Sequence, residues 1–275
     1  MSRGLPCVDA ALLQEVLVRF LAEELRASGL SGYVIGLSGG VDSAVSAALA
    51  ARAVGADRLS CLALPGPTSS NESLDHARLV AEAFALNLEV VDLSAAALAI
   101  AETLCAGDHQ LRFGNVMARL RMIALFDRAR RDNLLVAGTS NKSEILLGYS
   151  TLFGDSASSA NPLGDLWKTH IFELARHLGV PEAVVAKPPT ADLWPGQTDA
   201  GELGYDYLVA DPILYRHHEL GWERDELIAA GFSAVLVEAV LAAYRRNRFK
   251  WRPTTVARVS ASAINVDRIL PRNPR

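Results

Sequence analysis

The apolar run Tyr33 to Leu37 ends in a glycine-rich turn, Gly36-Leu37-Ser38-Gly39-Gly40-Val41-Asp42-Ser43, and the alanine-rich stretch Asp42 to Val54 follows it. An extended segment, a glycine turn and a helix in this order leave few folds open. Glycines let backbone N–H groups close around an oxyanion, and the helix N-terminus adds positive potential. Ser38 and Ser43 add hydroxyl donors. Asp42 is out of place beside a phosphate unless a divalent cation sits between them, and magnesium binds carboxylates together with phosphate oxygens. The pattern is not GxxxxGK[ST], since no lysine follows the glycines, and it is not GxGxxG.

The segments around the turn alternate. Val8 to Ser28 has helical spacing, with Asp9 able to cap its start and Gly29 to end it. Leu59 to Leu64 reads as a second strand, closed by Pro65-Gly66-Pro67. Ser73 caps a helix expected over Leu74 to Leu86, and Leu88 to Leu93 is a third strand. Asn115 to Arg131 has a strong helical period, and Leu134 to Ala137 is a fourth strand. This order predicts an α/β fold: an open, mostly parallel twisted sheet with helices on both faces. The 275 residues fit a single domain.

With 27 basic and 31 acidic residues, the net charge of -4 speaks against a chain held broadly on nucleic acid. The most apolar stretch, Ala83 to Leu104, is broken by Asn87, Glu89, Asp92 and Glu102, so no membrane partner is expected. Cys7, Cys61 and Cys105 are scattered without metal-ligand spacing, which makes a reducing cytoplasm the default location.

After Gly138 the texture changes. Ser143 to Leu147 reads as a short helix, and Ser150 to Trp167 lacks clear periodicity. Lys168 to Leu178 is helical and stops at Gly179. Lys187 to Gly201 reads as a long loop, and the chain is mostly helical from Glu202 to Phe249, then irregular from Pro253. Two long loops in a compact domain point to function.

Ser-Gly-Gly-x-Asp-Ser between a strand and a helix resembles the pyrophosphate loop of the ATP pyrophosphatases (the PP-loop superfamily), which split ATP into AMP and pyrophosphate. Further segments resemble one family within it, the NAD synthetases. They are Gly114-Asn115-Val116-Met117-Ala118-Arg119-Leu120-Arg121-Met122, Gly138-Thr139-Ser140-Asn141-Lys142-Ser143-Glu144, Gly148-Tyr149-Ser150-Thr151, Gly154-Asp155, Asp165-Leu166-Trp167-Lys168-Thr169, Pro189-Thr190-Ala191-Asp192-Leu193, Gly196-Gln197-Thr198-Asp199 and Phe249-Lys250-Trp251-Arg252-Pro253. Each is weak alone; in order, from about Gly36 to the end, they are specific.

The resemblance implies an adenine nucleotide alpha-hydrolase-like fold and amidation of nicotinic acid adenine dinucleotide (deamido-NAD). The substrate carboxylate attacks the α-phosphorus of ATP, pyrophosphate leaves, and ammonia displaces AMP to give NAD. It also implies roles. Gly36, Leu37, Ser38, Gly39, Gly40, Val41, Asp42 and Ser43 would hold ATP, with Thr139, Lys168 and Thr190 in contact with it. Asp42 and Glu144 would bind Mg2+. Asn115, Arg119 and Lys250 would face deamido-NAD. Asp155 and Lys168 would be catalytic, Asp155 by orienting ammonium or taking its proton and Lys168 by offsetting charge on pyrophosphate. A homodimer with sites at its interface is implied as well.

The chain departs from the family pattern in places. Leu152 and Ser159 stand where many ammonia-dependent members place Lys and Asp, Ala200 replaces a common acid, Trp251 a common Arg, and no Arg lies between Leu59 and Ala77. Much of the second half looks closer to the synthetase domain of glutamine-using members, but 275 residues leave no room for their amidase domain. Free ammonia, or a separate glutaminase subunit, is therefore the expected nitrogen source. Two other readings stay open: another ATP pyrophosphatase that adenylates a different acid or a tRNA base, and a nucleotide-binding relative without turnover. Taken singly, Asp42 also reads as a helix cap and Glu144 as a surface acid.

Overall fold

The computed structural model describes residues 4 to 260 except 108, 195, 252, 253, 255 and 258. Arg252, Pro253 and most of the tail beyond them lie outside the described residues. Four strands, β1 (Gly32–Gly36), β2 (Leu59–Ala63), β3 (Leu88–Val90) and β4 (Leu134–Val136), form one parallel sheet in the order β3-β2-β1-β4. β1 is central because its residues are apolar on both faces. Tyr33 and Ile35 enter the larger core, while Val34 points to the opposite face with Leu62 and Val136.

One face is covered by α1 (Ala10–Ser28), α2 (Val41–Val54), α3 (Asn71–Ala83) and α7 (Lys168–Leu178). α2 packs tightly because it offers mostly alanine: Ala44, Ala47, Ala48 and Ala50 have no exposed surface. α1 starts at Asp9, whose carboxylate accepts from the N–H groups of Ala11 and Leu12, and ends at Gly29 in the left-handed region. The other face is covered by α5 (Gln110–Asp132), with α4 (Ser94–Thr103) against it. The C-terminal third builds a separate core from α6 (Lys142–Leu147), α10 (Tyr207–His218), α11 (Arg224–Ala229) and α12 (Ala234–Arg246). Short helices α8 (Glu182–Val185) and α9 (Asp199–Leu203) flank the expected long loop.

Three elements differ from expectation. α3 begins at Asn71, because the hydroxyl of Ser70, not Ser73, accepts from the N–H of Ser73 and caps the helix. α4 was not expected at all. Half of it is alanine, and no side chain caps it among the described residues. α5 starts five residues before Asn115 and carries Gly114 inside it, where a Cβ would lie 3.0 Å from the Leu193 side chain. Gly114 therefore reflects close packing of the 187–198 segment, not a helix end.

Order reverses between β1 and β4, so the C-terminal ends of these two strands open a crevice at a topological switch point. The glycine turn stands there. Gly39 has φ +78°, and a Cβ on it would lie 2.1 Å from the carbonyl oxygen of Ser73. Gly39→Ala is expected to lower unfolding free energy by about 2 kcal/mol or more, read as a lower urea midpoint at unchanged slope.

Candidate active site

A cleft of about 460 Å³ lies at these strand ends. Gly36, Leu37, Ser38, Gly40, Val41, Asp42 and Ser43 form its floor. The two serine hydroxyls brace the turn: Ser43 Oγ donates to the Gly40 carbonyl at 2.9 Å, the Ser38 N–H donates to Ser43 Oγ at 3.2 Å, and the Gly40 N–H to Ser38 Oγ at 3.3 Å. No side chain caps α2, so its first N–H groups are left for a ligand.

Three charged side chains meet beside this floor. Lys168, 3% exposed, donates its Nζ protons to Asp42 Oδ2 and, at 3.2 Å, to Glu144 Oε1. Each comes from the first turn of a different helix: Asp42 from α2, Glu144 from α6 and Lys168 from α7. Asn141 ties two of them together. Its amide donates to Asp42 Oδ1 at 2.8 Å, while it forms a reciprocal capping box with Glu144. Burial alone would lower the Lys168 ammonium, but Asp42, Glu144 and Asp199 reverse this and hold it well above its ordinary range. Burial pushes the Glu144 carboxyl up to about 8, with Lys168 opposing and Asp42 and Asp199 adding to the rise.

Asp211, with no exposed surface, fixes Lys168 from behind. It accepts from Ser143 Oγ at 2.6 Å, from the Thr169 N–H at 2.9 Å and from Thr169 Oγ1 at 2.7 Å. Ser143 Oγ in turn accepts from the Lys168 N–H at 2.9 Å. One carboxylate thus supplies the N-terminus of α7 with acceptors and links it to α6 and α10. Sequence reasoning missed Asp211, since nothing local marks it.

A second group of residues lies further along the cleft. Asp155 Oδ1 accepts from the Thr151 N–H at 2.7 Å, and Thr151 Oγ1 donates to Asn115 Oδ1 at 2.7 Å. Crowding by protein raises the Asp155 carboxyl, while backbone N–H groups, Lys250 and Arg121 oppose the rise. Lys250 Nζ donates to the carbonyls of Gly148 and Ser150, both at 2.7 Å. Thr139 and Thr190 also line the cleft. Arg119 does not. It is exposed on α5, with its guanidinium donating to the Leu152 carbonyl at 3.2 Å. Arg121, two residues on, does line the cleft, donating to the Leu64 carbonyl at 3.1 Å and to Ser69 Oγ at 3.2 Å. Burial lowers its pKa, against Asp192 and Asp155.

The 187–204 segment forms the remaining wall. Thr68 Oγ1 donates to the Leu193 carbonyl at 2.8 Å and the Ser70 N–H to Asp192 Oδ2 at 3.1 Å. Gln197 donates to Glu202 at 2.8 Å, and Tyr149 donates to the same carboxylate. Asp199, 4% exposed, accepts from Tyr207 OH at 3.0 Å, while its Oδ1 has no hydrogen-bond partner. The departures have structural uses. Ser159 Oγ accepts from the Val136 N–H at 3.3 Å, extending the β4 edge. Trp251 donates to the Leu146 carbonyl at 3.2 Å and packs edge-on to Tyr244.

A family model described as NAD synthase matches residues 13–254. The chain belongs to the NAD synthase family. It is 44% identical to the NH(3)-dependent NAD(+) synthetase of Chlorobaculum tepidum, over 94% of this chain and 93% of that protein. It is 46% identical to the protein of the same name from Wolinella succinogenes, over 91% of this chain and 97% of that one. Among solved structures it resembles the NH3-dependent NAD synthetase of Campylobacter jejuni (TM-score 0.77, 29% identity, covering 91% of this chain and 100% of that one). It also resembles the NMN synthetase of Francisella tularensis (TM-score 0.81, 30% identity, covering 92% and 100%).

Asp211→Ala strands the donors of Ser143 and Thr169 in a dry interior. A loss of about 3 kcal/mol is expected, measured as the shift in chemical unfolding, where a loss below about 1 kcal/mol would contradict this account of the α7 start.

Proposed function

We infer that this chain amidates deamido-NAD with ammonia at the expense of ATP, giving NAD, AMP and pyrophosphate through an adenylate. The observation that carries this is the pairing within one cleft. An uncapped glycine turn with two carboxylates and a lysine adjoins a group of amide, carboxylate and ammonium side chains around Asp155. Relatives named for NAD synthesis from NH3 match it over nearly their whole length.

The turn N–H groups and the helix N-terminus bind the phosphates of ATP, with Thr139 and Thr190 positioned to contact it. Asp42 and Glu144 suit a magnesium ion. They are hard oxygen donors that already converge on one cation, the Lys168 ammonium. Among the described residues no group of three or more His, Cys, Asp or Glu side chains could hold a metal. A magnesium site commonly takes one or two carboxylates and is completed by water and phosphate oxygens. Bound there, the ion would offset triphosphate charge and make the α-phosphorus more electrophilic. Lys168 stays protonated between its partners and stabilises negative charge without exchanging its proton. Asn115 and Lys250 bind the second nucleotide, and Asp155 orients ammonium and takes its proton. Enclosure by the 187–204 segment keeps water from the adenylate.

Arg119 acts from a second copy of the chain. Ile123 and Phe126 lie one and two turns beyond it on α5 at 55% and 38% exposure, an apolar face suited to a homodimer interface. No helix among the described residues is long and apolar enough to cross a membrane.

Incubating the protein with deamido-NAD, magnesium-ATP and ammonium should raise NAD, AMP and pyrophosphate in equal amounts. Because one structural neighbour is an NMN synthetase, nicotinic acid mononucleotide belongs in the same assay. A preference for it would move the substrate while keeping the chemistry. AMP formed only with some other acid would overturn the substrate assignment, and ATP bound without cleavage would leave a non-catalytic relative. Asp42→Ala should cut turnover about 100-fold or more with an unchanged circular dichroism spectrum. Ile123→Asp is expected to halve the mass in sedimentation equilibrium.

A further inference from the structure

The glycine turn has no lysine of its own, and the nearest one from the β4 side, Lys168, is committed to Asp42 and Glu144. On the β2 side the situation differs. Lys187, between α8 and α9, lines the cleft with only 10% of its side chain exposed. Its Nζ donates to Ser73 Oγ at 2.8 Å, and the nearest carboxylate oxygen among the described residues, Glu72 Oε2, is 4.0 Å away on a side chain 65% exposed. An ammonium carries three donors, and among the described residues the only hydrogen bond from this one goes to a neutral hydroxyl. A largely buried cation whose nearest carboxylate among the described residues is 4.0 Å away and 65% exposed is weakly compensated, and an anion in the cleft would complete it.

The position says which anion. Ser73 is the residue whose carbonyl lies directly beneath Gly39, so Lys187 is anchored against the outer wall of the phosphate-binding turn. Ser38, Ser43, Ser70 and Ser73 line the same stretch of cleft. Lys168 and Lys187 therefore flank the turn from opposite sides, one from the β4 side and one from the β2 side. Lys187 reaches the turn from a distant segment, whereas a Walker-type loop carries its lysine within the loop.

We propose that Lys187 binds the β- and γ-phosphates of ATP and holds pyrophosphate as it leaves. This rests on the reading of the chain as an ATP-cleaving synthetase. As the substrate carboxylate oxygen bonds to the α-phosphorus, the bond from that phosphorus to the α,β-bridging oxygen breaks. Its electron pair stays on that oxygen, which becomes part of pyrophosphate. The Lys187 ammonium donates a hydrogen bond to the departing group and keeps its proton.

The test is binding of magnesium pyrophosphate to the full chain by titration calorimetry, alongside product inhibition of turnover by pyrophosphate and by AMP. Lys187→Met should weaken pyrophosphate binding about tenfold or more, leave AMP inhibition within about twofold, and be largely rescued by Lys187→Arg. Equal pyrophosphate binding in wild type and Lys187→Met would overturn the proposal. So would an equal loss for pyrophosphate and AMP, which would make Lys187 only a tether for the 187–204 segment. A thermal unfolding midpoint for each variant separates lost binding from lost fold. If the wild type amidates neither nicotinate nucleotide, the calorimetric comparison still decides the role of Lys187, so the two readings fail separately. A wild type that does not bind magnesium pyrophosphate overturns this one outright.

Discussion

Three helix N-termini point at one place, and the Lys168 ammonium between Asp42 and Glu144 makes that convergence stable. A helix start carries positive potential, so a carboxylate in the first turn of α2 or α6 is favoured, and a lysine at the first position of α7 is not. The two acids reverse the penalty for the lysine, and the lysine prevents the two acids from repelling each other. Asn141 and Asp211 then remove the remaining freedom: one holds Asp42 and Glu144 in register, the other satisfies the start of α7. The α7 start serves the sheet core on one side and the helical core on the other, so the triad also joins the two cores.

The sheet contributes position more than chemistry. The central strand β1 carries the turn, and the reversal of strand order beside it opens the crevice into which α6 and α7 deliver their side chains. The rest of the cleft comes from the 187–204 segment. It closes the space by hydrogen bonds to the loop after β2 and by packing of Leu193 against α5.

Elements with local punctuation were legible from the residues. Asp9 and Gly29 bound α1, and Gly179 closes a helix that begins at Lys168, because caps and left-handed glycines act within a turn. The glycine turn and its place between strand and helix were legible for the same reason. Where two residues competed for one local role, the reading slipped: Ser70 and Ser73 are both good caps, and the hydrogen bond between their hydroxyls lets only one serve. α4 has neither cap nor amphipathic pattern, so it gave no signal. In the site, Asp42, Glu144, Lys168, Asp155, Asn115, Thr139, Thr190 and Lys250 were named from motifs, and all line one cleft. Arg119 faces outward, and Arg121 faces in. Asp211 and Lys187 carry no local signature, since their partners lie dozens of residues away.

That separation has a consequence for synthesis. Thr68 meets Leu193, Ser70 meets Asp192 and Lys187 meets Ser73, pairs more than a hundred positions apart. A nascent chain that has emerged only as far as β4 has its four parallel strands and its glycine turn. It still lacks Lys168, Lys187 and the outer wall. Such an intermediate has Arg121 beside the turn but neither of the two lysines nor the cover. The cleft is therefore completed late, because Lys168, Lys187 and the wall that faces the turn all follow the sheet in the chain.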